Sequence, residues 1–260
     1  MNTHLHVDVA GSGPDVVLLH AFPCTAQMWQ PQAAALRAAG HRVILVDLPG
    51  FGGSPLPDGD PSLTTVADAV LATLDDLGVA ECVLGGISLG GYVTMAMLAK
   101  RPGIARSVVL CDTKATADGE AARENRERLA LLVENSPADT GRILEQAVLP
   151  GLLGDTTRSE RPDVLRAVGG WLDEASAASV AWYQRAMAAR PDSTDVLARL
   201  AIPGLVLWGE EDALSPMSEQ EIMLDALADG WLSVIDGAGH LSNVERPEAV
   251  SGVLVDFVAV

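Results

Sequence analysis

Gly86-Ile87-Ser88-Leu89-Gly90-Gly91 decides how this chain is read. It follows the apolar run Cys82-Val83-Leu84-Gly85 and precedes a helical pattern from Tyr92 to Lys100, so Ser88 stands on a turn from strand to helix. Such a turn strains the serine backbone and crowds its neighbours. The positions two before and two after it must therefore be nearly free of side chain, as Gly86 and Gly90 are. The hydroxyl is then held out above the end of a sheet. The first turn of the next helix offers unpaired N–H groups to negative charge developing beside it. Gly-x-Ser-x-Gly alone is a weak pattern; apolar strand, elbow and helix in that order make it specific.

A serine hydroxyl is a poor nucleophile at neutral pH and needs a base, and the base needs a group to orient it. Two downstream strands can deliver both. Gly204-Leu205-Val206-Leu207-Trp208 ends in Gly209-Glu210-Glu211-Asp212, and Trp231-Leu232-Ser233-Val234-Ile235 ends in Asp236-Gly237-Ala238-Gly239-His240. Catalytic groups in open α/β sheets collect at the C-terminal edge of the strands. Asp212 is the preferred acid, through its Gly-x-x-Asp spacing and its short side chain. Asp112, at another strand end, is the reserve candidate, with a loop carboxylate as its plainer reading. His240 lies in a glycine-flanked loop free of helical constraint, whereas His4, His6 and His41 have no motif context and read as surface or edge residues. No His or Cys spacing matches a metal site, and no cofactor is called for.

Five ordered motifs carry a resemblance: Leu18-Leu19-His20-Ala21-Phe22-Pro23, Asp47-Leu48-Pro49-Gly50-Phe51-Gly52-Gly53-Ser54, the Ser88 elbow, Gly209-Glu210-Glu211-Asp212, and Gly237 to Glu248 around His240. From about Val16 to its C-terminus the chain resembles the α/β-hydrolases, whose chain order is Ser, Asp, His. His240 and its tail, with Cys111 to Asp118, look most like small bacterial esterases and the 3-oxoadipate enol-lactonase group. The resemblance implies an α/β fold with a mainly parallel sheet flanked by helices and an inserted helical cap. It implies a Ser88, His240 and Asp212 triad, and an oxyanion hole from the backbone amides of Leu89 and Phe22. The family more often carries glycine where Ala21 stands. His20 is expected to hydrogen-bond the Phe22 loop from below, and Glu245 and Arg246 to fix the segment after His240.

The strand and helix order agrees with this. Candidate strands are 5–9, 16–20, 43–47, 82–87, 107–111, 204–208 and 231–235, with helical patterns between most of them, which implies a mainly parallel sheet covered on both faces. The alternation breaks between Thr113 and about Ser193, where helical patterns at 120–134, 140–148, 162–172 and 175–189 read as the cap. The expected division is a core of 1–112 and 194–260 and a cap of 113–193. Trp171, Trp182, Tyr183 and Met187 are candidate substrate-lining residues of the cap, with ordinary packing as the plainer reading.

At 260 residues, 48% hydrophobic, the chain suffices for one α/β domain with an insertion. Its net charge of -18 argues against nucleic acid and anionic membranes as partners. The three cysteines, Cys24, Cys82 and Cys111, cannot all pair. With Met1 to His6 lacking the basic and apolar regions of a signal peptide, they give the expectation of a cytoplasmic protein.

The expected activity is hydrolysis of a small carboxylic ester through an acyl-enzyme. The alternative is a lactonase, then a C–C hydrolase, thioesterase or cofactor-free perhydrolase on the same triad. A small-molecule-binding protein on the same fold is the non-enzyme alternative. Serine at the elbow argues against dehalogenase and epoxide hydrolase chemistry, whose members carry aspartate there. The resemblance to enol-lactonases implies an acidic substrate, but no arginine can be placed in the pocket from sequence.

Overall fold

The computed structural model describes residues 5–259; His4 lies outside them. Seven strands, β1 (Val7–Ala10), β2 (Asp15–Leu19), β3 (Arg42–Val46), β4 (Cys82–Ile87), β5 (Ala105–Cys111), β6 (Gly204–Gly209) and β7 (Gly230–Ile235), form one sheet in the order β1-β3-β2-β4-β5-β6-β7. Only β1 runs antiparallel to its neighbour β3; the other five pairings are parallel. β4 and β6 are buried along their whole length. That explains why they read as unbroken apolar runs, as parallel strands covered on both faces do.

The helices are α1 (Gln30–Ala38), α2 (Leu63–Asp76), α3 (Leu89–Lys100), α4 (Glu120–Asn135), α5 (Thr140–Ala147), α6 (Leu149–Leu152), α7 (Asp155–Glu160), α8 (Pro162–Asp173), α9 (Ala177–Ala188), α10 (Thr194–Ala198), α11 (Met217–Ala226), α12 (Ser242–Glu245) and α13 (Pro247–Val258). α2 shows how sequence makes such an element. Ser62 accepts a hydrogen bond from the Thr64 amide at its start, and Leu63, Val66, Ala67, Val70, Leu71 and Leu74 repeat at helical spacing to form its buried stripe.

The order of the strands places the helices. From β2 the chain steps by α1 to β3, then back over β2 by α2 to β4 and onward in that direction to β7. Right-handed crossovers taken in opposite directions put α1 on one face and α2, α3 and α11 on the other. α1 packs on α13, while α2 packs on α3 and α10 on α11. The reversal falls between β2 and β4, so the segments leaving their C-terminal ends diverge and open a crevice.

Between β5 and β6 the chain makes α4 to α9, with α4 packed along α9, before α10 leads into β6. The short α6 and α7 were not legible in the sequence, since four and six residues are too few to show an amphipathic period. This helical segment lies over the C-terminal strand ends, where the Leu152 carbonyl accepts the Leu241 amide. Among the described residues no helix is long and apolar enough to cross a membrane.

Candidate active site

Ser88 follows β4 directly with φ 52° and ψ -113°, a strained conformation for any residue but glycine. Close approach demands the flanking glycines. A Cβ on Gly86 would stand 2.2 Å from the Gly90 carbonyl carbon, and one on Gly90 would stand 2.2 Å from the Leu19 carbonyl oxygen. The elbow is pinned by its own backbone: the Ser88 amide donates to the Cys111 carbonyl (3.0 Å), and the Thr113 hydroxyl donates to the Ser88 carbonyl (2.9 Å).

Ser88, His240 and Asp212 come together. Ser88 Oγ lies 2.7 Å from His240 Nε2, and His240 Nδ1 lies 2.9 Å from Asp212 Oδ2. A carboxylate can only accept, so Nδ1 carries the proton and Nε2 is left to accept from the serine hydroxyl. Burial opposes the charged imidazole, but the Asp212 charge and hydrogen bond outweigh it and hold the His240 pKa above its ordinary value. Burial likewise opposes the Asp212 carboxylate, yet His240 and Ser215 keep its pKa below the ordinary range. Asp212 Oδ1 accepts the Leu214 and Ser215 amides (2.8 and 3.1 Å), and its Oδ2 accepts the Ser215 hydroxyl. Ser215 escaped sequence reading. Its signal was a serine three residues after a turn aspartate, the spacing at which a carboxylate collects amide and hydroxyl donors.

Asp112 makes no hydrogen bond to His240. It is fully buried with φ 41°; its Oδ1 accepts the Gly209 amide (2.7 Å) and its Oδ2 the Ser242 amide (3.1 Å), so it joins the loop that carries Asp212 to the segment after His240. Burial, with the charge of Asp212, pushes its pKa well above the usual carboxylate range. Two other carboxylates hold the site from above. Buried Glu245 accepts the Gly239 and Leu241 amides (2.9 and 3.2 Å) on Oε1, on either side of His240, and the Gly154 amide (2.9 Å) on Oε2. Glu211, next to Asp212, accepts the Thr156 amide (2.9 Å) and hydroxyl.

The Phe22 and Leu89 amides have no acceptor among the described residues. Ala21 lies outside the left-handed region, so this loop has no need of glycine there. His20 supports the loop: its Nε2 accepts the Leu48 amide (2.9 Å) and its Nδ1 donates to the Ala21 carbonyl (2.9 Å). Burial lowers the His20 pKa to about 4, which keeps the ring neutral. One histidine differs from the sequence reading: His41 is buried, with Nδ1 3.3 Å from the Pro14 carbonyl. His6 is exposed, as expected, with Nδ1 2.8 Å from Asp47 Oδ2. Cys24, near the loop, is buried, which pushes its thiol up to about 12.

A cavity of about 530 Å³ opens over Ser88 and His240, lined also by Phe22, Leu129, Leu132, Leu152 and Met187. Of the four aromatic and methionine residues considered for this role, only Met187 lines it. Tyr183 is buried with its ring 4.8 Å from that of Phe51, Trp182 donates its indole N–H to the Gly59 carbonyl (3.3 Å), and Trp171 packs as a half-buried residue against the core. No arginine could be placed in the pocket from sequence; Arg126 and Arg128 line it together with Lys114, with a single acid, Asp118, beside them. Asp118 is shared by three cations: Arg126 on Oδ2, Arg190 at 2.9 Å and Lys114 at 3.4 Å. Burial opposes its charge, but these cations hold its pKa low.

The sequence profile of the alpha/beta hydrolase family matches residues 16–253. Among solved structures, a thermophilic esterase from Thermogutta terrifontis with malate bound is 35% identical with a TM-score of 0.92, covering 98% of this chain and 93% of that one. The enol-lactonase from Burkholderia xenovorans LB400 is 26% identical with a TM-score of 0.89, covering 98% and 96%. A pimeloyl-(acyl-carrier protein) methyl ester esterase of Aeromonas hydrophila is 29% identical over 97% of this chain and 98% of that protein. With the match running from β2 into α13, this chain belongs to the alpha/beta hydrolase family of enzymes.

Proposed function

We propose that the protein is a serine carboxylesterase acting on small-molecule esters through an acyl-enzyme. The observation that carries this reading is the unbroken hydrogen-bond chain from Ser88 Oγ through His240 to Asp212 beneath an open cavity. Ser88 Oγ bonds to the ester carbonyl carbon as its proton passes to His240 Nε2. The tetrahedral oxyanion is met by the Leu89 and Phe22 amides, donors whose orientation precedes the reaction. As the C–O bond breaks, His240 returns the proton to the leaving alkoxide. Water then attacks the acyl carbon with His240 again as base, which releases the acid and restores Ser88. Asp212 holds His240 in the tautomer this requires. Residues 113–193 act as a cap over a core of 1–112 and 194–260. Three buried, unpaired cysteines support a cytoplasmic setting.

A second reading is favoured by Lys114, Arg126 and Arg128 in the cavity wall: an ester or lactone bearing its own carboxylate, as an enol-lactonase substrate does. Hydrolysis of p-nitrophenyl esters from acetate to decanoate, with and without Ser88→Ala, tests the first reading. Adding a lactone panel and monomethyl succinate tests the second. Ester turnover lost in Ser88→Ala supports the esterase, and activity confined to lactones or to carboxylate-bearing esters supports the second reading. No turnover on any of them refutes both and favours a C–C substrate or a binding protein.

A further inference from the structure

A second cavity of about 330 Å³ lies behind the wall of the first. The two share Tyr92 and Lys114 but neither Ser88 nor His240 reaches the second one. Its floor is apolar, from Leu63, Met95, Ala96 and Val196, and its volume falls at the small end of ligand sites. Its charged wall is mainly cationic, with Lys100, Lys114 and Arg190 against the single acid Asp192. Lys114 and Arg190 belong to the group of three cations that share Asp118, which leaves that group with two positive charges in excess. Lys100 at the rim pairs with Asp68, and the one acid among the lining residues, Asp192, takes the Thr194 amide (2.8 Å) and faces the Arg190 charge, offsetting part of the excess. Arg190 is only 6% exposed and its guanidinium lies 4.0 Å from the centre of the Tyr92 ring. Its Nη atoms bind the Met187 and Thr116 carbonyls and Asp118, but its buried Nε has no acceptor. A buried guanidinium N–H without an acceptor is costly and marks a place for one.

We propose that this second cavity binds a small monocarboxylate with an apolar body, its carboxylate on Arg190 and Lys114 and its hydrocarbon on Met95, Ala96 and Val196. The oxygen atoms supply the missing acceptor and offset the surplus charge, and a body of five or six carbons covers the floor. Because Tyr92 and Lys114 also face the Ser88 cavity, occupancy alters turnover without competing for Ser88.

The test reads binding, so it stands whether or not the esterase reading does. Methyl-labelled methionine in the Ser88→Ala protein gives two reporters: Met95 lines only the second cavity and Met187 only the first. Hexanoate is expected to shift the Met95 resonance saturably, with Kd on the order of 1 mM or tighter, and hexanol at least about tenfold more weakly. Ala96→Phe, which fills the cavity, and Ala99→Trp, which closes its rim, should each abolish the Met95 response; the second covers the case in which the first does not fold. A Met95 resonance that stays fixed, that follows Met187 with one midpoint, or that answers hexanol as well as hexanoate overturns the proposal.

Discussion

Replacing Glu245 by glutamine changes one oxygen for an NH₂ group at a buried point where three backbone amides converge. The surviving carbonyl can keep the Gly239 and Leu241 amides, which already share Oε1. The NH₂ group then faces the Gly154 amide, donor against donor. The variant loses one charge-assisted hydrogen bond and leaves a buried N–H unpaired, each worth about 1–3 kcal/mol. Relaxation of the Gly154 segment recovers part of this, so a net loss of about 3 kcal/mol is expected. For a chain of this size that lowers the melting temperature by roughly 6–12 °C. The same charge is one of those that raise the His240 pKa, after Asp212 and Asp112. Its removal should therefore also move the acid limb of kcat/KM toward lower pH. Thermal unfolding gives the first effect, and kcat/KM for p-nitrophenyl acetate across pH gives the second. A melting temperature within about 1 °C of wild type together with an unmoved acid limb would refute the claim that Glu245 holds the His240 loop.

Asp212→Asn should lower kcat on the order of 10⁴-fold by losing the reactive tautomer. Because Asp212 raises the His240 pKa and only the neutral imidazole is a base, any residual activity should persist to lower pH than in wild type; an acid limb that moves upward contradicts this. His20 should make the fold weaken as pH falls. Its pKa is about 4 when folded against 6.5 for the free ring, so only the unfolded chain takes a proton between those values. Stability present above pH 6.5 is then lost toward pH 4, by about 3 kcal/mol in all. Denaturant titrations should show a flatter pH slope for His20→Gln, and equal slopes would exclude the buried neutral ring. On the second reading of the substrate, Arg126→Gln should raise KM for monomethyl succinate about tenfold or more, the worth of one charge-assisted contact, while leaving KM for a neutral ester unchanged. Equal changes for both would assign Arg126 to packing alone.

What the sequence made legible was local. Ser88, Asp212 and His240 each stand just beyond an apolar strand, and steric demand stamps glycines around the first and last, so their place at one sheet edge follows from short motifs. What it hid depends on how distant elements dock. Arg126 shares a face of α4 with Leu129, Ala130 and Val133, a spacing that marks that face as inward without saying whether it meets Ser88 or the core. Trp182 and Tyr183 posed the same ambiguity on α9: burial was readable, but their neighbours Gly59 and Phe51, more than 120 residues upstream, were not. Asp112 looked like a loop carboxylate because its partners, Gly209 and Ser242, lie about 100 residues and more away in the chain.

Ser88 and Asp112 are the two non-glycine residues with left-handed φ among those described, and they end neighbouring strands. Strain of about 1–3 kcal/mol at each persists only if surrounding bonds over-determine it. Those bonds run in series across the sheet. The Ser88 amide is held by Cys111, the Asp112 amide by Leu207, and the Asp112 carboxyl then takes the Gly209 and Ser242 amides. Each strand end thus fixes the next, from β4 through β5 and β6 to the segment after His240. The 2.7 Å between Ser88 and His240, which sit 152 residues apart, is therefore set by this chain of backbone contacts as much as by the elbow itself. Asp112, which touches neither reacting atom, is the link through which the Asp212 loop and the His240 loop keep their distance from Ser88.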